Sequence, residues 1–240
     1  MNLETHELPS AIVLRSRNPR RCGESIAVVI DVLRAFTTSR RLLECGLESL
    51  TLVAGISEAR LIRTLKPNAI LIGEQSGVSV TGFDFDNSPS LVSSIALGGK
   101  EIFFRTTNGV PALLAACEEY DVVLAASLRD ADAIAKRTIR LMERGCVREV
   151  HLICSDPSGE EDWACARYLA ASITQDSSAS RQEAMVEVET SAAARRLVTR
   201  LGPQLAASDI RLAVEQHEGN FVQQAQLEPG RVVLKKVNIC

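Results

Sequence analysis

The stretch "VVIDVLRAFTTSRRLLECG", residues 28–46, decides how this chain is read. Its apolar run has no polar residue on either face, as in a strand covered on both sides. The run ends in an acid, Asp31, and Arg34 follows three residues later. Thr37 and Thr38 come next, and then a segment with helical spacing. A buried strand that hands over to a helix is the repeating unit of an α/β protein. In such folds ligands bind where strands end and helices begin. Asp31 and Arg34 are therefore candidate functional residues as well as the edge of an element.

Outward from this stretch the pattern recurs. Apolar runs at 26–30, 50–53, 69–73, 102–104, 122–126 and 150–154 predict strands. Helical spacing at 57–65, 108–118, 129–144 and 160–173 predicts helices between them. Alternation of this kind implies a largely parallel sheet with helices on both sides. Residues 73–90, "GEQSGVSVTGFDFDNSPS", break the rhythm with a long irregular segment, of the sort that often carries function. Residues 174–194 are expected to form a surface loop, followed by the helix "AAARRLVTRL". "EAMVEVET" (183–190) is read as a solvated face. "RVVLKKV" (231–237) predicts a strand at a sheet edge, because of its lysines.

The 240 residues are read as one domain, 1–240. A net charge of −3 and only 4% aromatic residues argue against a nucleic-acid partner. No run of 18 apolar residues occurs, so no membrane span is expected. The N-terminus lacks the order of a secretory signal. Seven cysteines, widely spaced and without a CxxC pair, read mostly as small buried residues in a reducing cytosol. Three isolated histidines give little prospect of a His-rich metal site or a Ser-His-Asp triad.

Strand exits then supply the candidate chemistry. The first delivers Asp31 and Arg34, and the run at 69–73 delivers Glu74. Arg105, Thr106, Thr107, Asn108 and Gly109 follow the run at 102–104. Ser127 and Arg129 follow 122–126, and Ser155 to Asp162 follow 150–154. "TTNG" opens a helix, and free N–H groups at a helix N-terminus favour anions such as phosphate. The plainer alternative for this stretch is an ordinary cap. Asp31, Glu74 and the acids at 160–162 would suit a hard cation such as Mg²⁺, or else serve as caps and ion-pair partners. Asp84 and Asp86 read equally as further ligands or as Asx-turn residues. Trp163 reads as helix packing, and Cys154 lacks a base partner for nucleophilic work. A phosphoaspartyl phosphatase of the haloacid-dehalogenase type needs a second Asp at position 33, where Leu33 stands. No GxxxxGK[ST] or GxGxxG loop follows any strand.

"VVIDVLRAFTT", "GEQSGVSVTGFDFDNSP", "RTTNGVPALLAA" and "ASLRDADAIA" occur in an order that resembles the 2-phosphosulfolactate phosphatases. The resemblance covers about residues 26–170. It implies an α/β/α sandwich of three layers. It also implies an Mg²⁺-dependent hydrolase that converts 2-phospho-3-sulfolactate to 3-sulfolactate, an activity associated with coenzyme M biosynthesis. Asp31 and Arg34 match "DVLRA", and Glu74 matches the acid of "GER", with Gln75 in place of its Arg. Residues 82–89 match "GFDxxNSP", and Thr106 to Gly109 match "TTNG". The chemistry assigns Asp31, Arg34 and Glu74 to catalysis, and Asp31, Glu74 and Asp162 to Mg²⁺. Arg105, Thr106, Thr107, Asn108, Gly109 and Arg129 are assigned to a small anionic phosphorylated substrate. The expected setting is the cytoplasm, with a homo-oligomer left open. Two departures motivate the alternative of a non-catalytic anion-binding protein on the same fold. The loop "CSDPSGEED" (154–162) is shorter than in the family, and Arg167 stands where a helix glycine is expected.

Overall fold

The computed structural model describes residues 3–8, 11–16, 24–95, 98–145, 147–217 and 219–239. Strand β3 (Glu24–Ile30) is the centre of the first parallel group, with Ile26 to Ile30 wholly buried. It pairs in parallel with β8 (Val122–Ala126) on one side and β9 (Val147–Cys154) on the other. A second parallel group consists of β4 (Ser49–Leu52), β7 (Ile102–Arg105) and β5 (Ile70–Gln75). The hairpin of β10 (Phe221–Glu228) and β11 (Arg231–Asn238) joins the two groups. It pairs antiparallel with β8 on one side and with β4 on the other. The outer strands β1 (Leu3–Leu8) and β2 (Ala11–Ser16) pair antiparallel beside β9, and the short β6 (Val78–Ser79) ends the opposite edge. The order is β1-β2-β9-β3-β8-β10-β11-β4-β7-β5-β6.

The sheet is thus mixed, where the alternation of strands and helices predicts a largely parallel one. The strand read in "RVVLKKV" exists, but it lies in the middle of the sheet and not at an edge. Val233 and Leu234 supply its buried positions. Its lysines are accommodated locally: Lys235 pairs with Glu228 at 2.6 Å, and Lys236 lies over the Phe221 ring. Strand β10 escapes the apolar pattern because Gln223 is fully buried at its centre. Buried amides survive only when hydrogen-bonded. Here Ser39 donates to Gln223 Oε1 at 2.6 Å, while Nε2 donates to the Phe36 carbonyl and to Asp130, each at 3.0 Å.

Side chains of β3 alternate between two cores, as strand geometry requires. Ile26, Val28 and Ile30 pack with residues of α5 (Ala131–Glu143) and α6 (Glu160–Thr174), such as Ile134 and Leu169. Ala27 and Val29 face α1 (Ala35–Glu44) and α4 (Gly109–Glu119), through Phe36 and Leu113. Helix α2 (Ile56–Leu65) covers the second parallel group through Ala59 and Ile62. A single helical turn, α3 (Pro89–Val92), follows the irregular segment.

Beyond α6 come α7 (Arg181–Thr190), α8 (Ala192–Leu201) and α9 (Pro203–Val214). The sequence predicts α8 but not α7, where Ala184 and Val188 face the core and the glutamates face solvent. Ser180 and Glu183 close a capping box at its start. Among the described cysteines, Cys154 and Cys165 are buried, Cys117 is half-buried, Cys45 is exposed, and all four are free. Cys22, Cys146 and Cys240 lie outside the described residues. No helix among the described residues is long and apolar enough to cross a membrane.

Candidate active site

Strands β3, β5, β7 and β9 end on one side of the sheet, around a cleft of about 360 Å³. Asp31, Arg34, Glu74, Thr106, Thr107, Asn108 and Asp162 line it, all of them candidates from the sequence. Gly109 adjoins it. A Cβ on Gly109 would stand 2.7 Å from Asp31 Oδ2 and 2.9 Å from Ala35 Cβ, so only glycine lets α4 approach the acid this closely.

The opening stretch now has a physical account. Thr37 donates its hydroxyl to the Val32 carbonyl at 2.7 Å and fixes the handover from β3 to α1. Arg34 occupies the left-handed region, with φ 97° and ψ −60°, a conformation that costs about 1–3 kcal/mol in a non-glycine residue. Its side chain holds it there. The guanidinium pairs with Asp86 at 2.5 Å, and Nε donates to the Asn87 carbonyl. Arg34 thereby straps the irregular 82–89 segment to the end of β3. Asp86 acts as the partner of Arg34, while Asp84 accepts from the Leu71 N–H at 2.7 Å and pairs with Arg63.

Glu74 is buried and committed within the loop. Its Oε1 accepts from the Thr107 N–H at 2.5 Å, and its Oε2 accepts from the Thr107 hydroxyl at 3.0 Å and from the Gly77 N–H. Thr106 caps α4 by accepting from the Val110 N–H at 2.9 Å. Among the described residues, the N–H groups of Asn108 and Gly109 have no hydrogen-bond partner. They are the open donors of this helix terminus.

The acids of α6 enter from the far wall. Asp162 Oδ1 accepts from the Val32 N–H at 2.9 Å, and its Oδ2 accepts from the Ser155 hydroxyl at 3.1 Å. The loop 154–162 therefore docks the start of α6 against the end of β3. Glu160, Glu161 and Asp162 occupy the first turn, where the helix dipole favours negative charge. Burial, together with Glu161 and Glu74 nearby, pushes the Asp31 carboxyl up to about 7. Ser155 and the Ala35 N–H oppose that rise. Burial and the neighbouring Asp31 and Glu161 raise Asp162 well above the carboxylate range, and burial raises Glu161. Burial and the charge of Asp162 also raise the Cys154 thiol, which keeps it protonated.

Two arginines of the candidate set sit elsewhere. Arg105 donates to the Glu74 carbonyl at 2.5 Å and stiffens the rim without lining the cleft. Arg129 follows the Ser127–Asp130 capping box and does not line the cleft. It is buried against Glu44, with Nε 3.1 Å from Oε1, and against the carbonyls of Leu212 and Glu215. Arg167 pairs with Glu187 on the outer surface and does not line the cleft.

The structure also adds residues that the strand-exit argument does not reach. Asn87, Ser76, Ser155, Asp156 and Glu161 belong to segments already singled out. Arg196 and Arg200, with Ala193 and Leu197, come from α8 and line the cleft as well. Their signal is the spacing 193, 196, 197, 200, a single helical face.

No group of three His, Cys, Asp or Glu side chains among the described residues is placed to hold a metal ion. The donor chemistry still suits Mg²⁺, which commonly takes one or two carboxylates and keeps waters. The buried acids stay raised although Arg196, which lines the same cleft, opposes the rise at Glu161. Asp31 and Glu161 retain acceptor capacity that Glu74 and Asp162 have committed to hydrogen bonds.

An α/β protein whose strand exits gather acids, open N–H donors and arginines around one cleft is the class defined by fold and site. The chain belongs to the 2-phosphosulpholactate phosphatase family, whose profile matches residues 13–222. A probable 2-phosphosulfolactate phosphatase of Bacillus subtilis is 29% identical over 214 residues, 89% of this chain and 92% of that protein. One of Deinococcus radiodurans is 36% identical over 134 residues, 56% of this chain and 54% of that protein. One of Caldicellulosiruptor saccharolyticus is 34% identical over 152 residues, 61% of each. The match to these last two spans less than two thirds of their length.

Proposed function

We propose that this protein is an Mg²⁺-dependent phosphatase that hydrolyses 2-phospho-3-sulfolactate, or a similar small phosphate monoester, to the alcohol and phosphate. Family membership supports the reaction class. The observation that carries the site is the contact of Asp31 with Gly109, which sets a raised carboxyl against a helix terminus with two open N–H donors. A phosphoryl group bound at Asn108 and Gly109 would lie beside Asp31.

Asp31 would hold Mg²⁺, and waters would complete the shell. The bound ion would neutralise charge on the phosphoryl oxygens and on the departing oxygen. Asn108 and Gly109 would bind and orient the phosphoryl group through N–H donors already in place. Water attacks phosphorus as the P–O bond to the sulfolactate carbon skeleton breaks. Glu161, whose carboxyl is raised by burial and by the neighbouring Asp156 and Glu160, is suited to accept the proton of that water. The leaving oxygen then takes up a proton. Glu74 and Arg34 act by position: Glu74 fixes the Thr107 backbone, and Arg34 fixes the 82–89 segment. A cytosolic setting belongs to the same proposal, and the four described cysteines, all free, suit it. The placement of Arg167 on the outer surface weakens the case for a non-catalytic relative.

The test is phosphate release from racemic 2-phosphosulfolactate with Mg²⁺, with EDTA, and with Asp31→Asn, beside a panel of small phosphate monoesters. Release that requires both Mg²⁺ and Asp31 is expected. Release only from another monoester would replace the substrate and keep the mechanism. A folded protein that releases phosphate from none of them would overturn the reading.

A further inference from the structure

A substrate of this class carries charge at both ends, and the phosphate accounts for only one of them. On the phosphatase reading, the cleft must also recognise a carboxylate or sulfonate some ångströms from the reacting phosphorus. The walls are poor in free cations. Arg34 is committed to Asp86 and Asn87, and Arg105 and Arg129 do not line the cleft. Five acids do: Asp31, Glu74, Asp156, Glu161 and Asp162.

Helix α8 presents the face Ala193, Arg196, Leu197 and Arg200 to this cleft. The helix is fixed to the floor. The Ala192 N–H donates to Glu160 at 2.8 Å, Ser191 caps the first turn, and Ala194 and Leu197 are buried. Arg200 reaches across to the β5–β6 turn, where a Cβ on Gly77 would lie 1.4 Å from its Nη1. Gly77, at φ 78°, thus provides the backbone surface on which that guanidinium rests. Among the described residues, neither Arg196 nor Arg200 makes a hydrogen bond or an ion pair. Two exposed arginines one turn apart line an acid-lined cleft with no hydrogen bond or ion pair among the described residues, although the charge of Arg196 is felt by Glu161, and they are suited to a ligand anion. The planar fork matches carboxylate and sulfonate oxygens.

We propose that Arg196 and Arg200 form a second anion subsite that binds the carboxylate or sulfonate end of the substrate and sets specificity for multiply charged phosphate esters. The inference rests on the phosphatase reading but can fail separately from it.

The experiment compares wild type, Arg196→Gln, Arg200→Gln and the double variant on 2-phosphosulfolactate and on p-nitrophenyl phosphate, which has no second anion. Arg195→Gln, on the outer side of α8, serves as the control. The binding of 3-sulfolactate is measured by calorimetry on the same proteins. The double variant is expected to raise KM for 2-phosphosulfolactate about ten- to a hundredfold, with kcat much less affected. The ratio of kcat/KM between the two substrates should fall by a similar factor, and 3-sulfolactate affinity should fall with it. Equal losses on both substrates would overturn the subsite, as would no loss on either. If wild type hydrolyses neither ester yet binds 3-sulfolactate through the two arginines, the subsite stands and the phosphatase reading falls. If it neither hydrolyses nor binds, both fall.

Discussion

Helix α1 has a cluster of buried charge at each end, and the two are built by opposite rules. At its C-terminal end Glu44 meets Arg40 at 3.1 Å, Arg41 at 2.6 Å, Arg129 at 3.1 Å and His217 at 3.4 Å. Burial alone would raise that carboxyl. Hydrogen bonds and charge from Arg129, with Arg41 and His217, outweigh burial and hold it below the ordinary range. At the N-terminal end Glu161 raises both Asp31 and Asp162, Asp31 raises Asp162, and burial outweighs the opposing charge of exposed Arg196 on Glu161. The first cluster is complete within the protein. On the proposed reading, the second is completed by the ion and substrate that the protein binds. An incomplete buried cluster is costly to the fold, and such sites are where function is sought.

Asp31→Asn should break this contrast most strongly. Activity should fall by about a thousandfold. Stability should move the other way. The folded carboxyl titrates near 7 against an ordinary 3.8, so the folded state keeps a proton that the unfolded chain gives up. Stability therefore falls as pH rises between those values, and the deficit persists above them. Asparagine removes the deficit, which is worth a few kcal/mol at pH 8 without metal and vanishes near pH 3. Denaturant titrations at the two pH values measure it. Mg²⁺ should raise the Tm of wild type and not of the variant. Equal effects of Mg²⁺ on both would remove Asp31 from the metal site.

Glu44→Gln probes the balanced cluster and should leave buried arginines uncompensated, at a cost of about 3–5 kcal/mol. The native carboxyl is held low, so its contribution is fully present above the ordinary 4.5 and is lost as pH falls through its folded value. The gap between wild type and variant should shrink as pH falls below the ordinary 4.5. A gap that stays constant with pH would assign the loss to packing.

Gly109→Ala should be smaller in stability, about 1–3 kcal/mol, because the new methyl meets Asp31 and the Ala35 side chain. It should disable the cleft with the fold intact. An active variant with native kinetics would show that Asp31 and the α4 terminus do not work together.

How far the sequence anticipates these clusters follows from where each residue sits. The parallel strands β3, β7 and β8 are legible because both faces are covered and apolar, and β9 is legible only over 150–154, since Arg148 and Glu149 break its pattern. Strand β10 is not, since Gln223 replaces an apolar side chain with hydrogen bonds to Ser39 and Phe36 of α1 and to Asp130. The lysines of β11 suggest an edge, but their ammonium groups reach Glu228 and Phe221 instead. Strand exits correctly nominate Asp31, Glu74 and the α4 terminus as neighbours. The same rule misplaces Arg129, which follows the Ser127–Asp130 capping box and does not line the cleft. It misses Arg196 and Arg200 because α8 follows no strand and reaches the cleft only by packing on the start of α6.

Glu74 belongs to neither extreme, and it gives the sharpest small test. It lines the cleft as Asp31 does, yet its oxygens are satisfied by Thr107 and Gly77 as fully as those of Glu44 are by arginines. The sequence assigns it to the metal, whereas its hydrogen bonds favour a positioning role. In Glu74→Gln the amide oxygen can still accept from the Thr107 N–H, while the amide nitrogen opposes the Gly77 N–H. The expected stability loss is about 1–2 kcal/mol, with activity down roughly tenfold through a displaced Thr107. The Mg²⁺-induced rise in Tm should persist. If that rise disappears and activity falls as far as in Asp31→Asn, Glu74 joins the incomplete cluster, and its present hydrogen bonds are those of a ligand waiting for its ion.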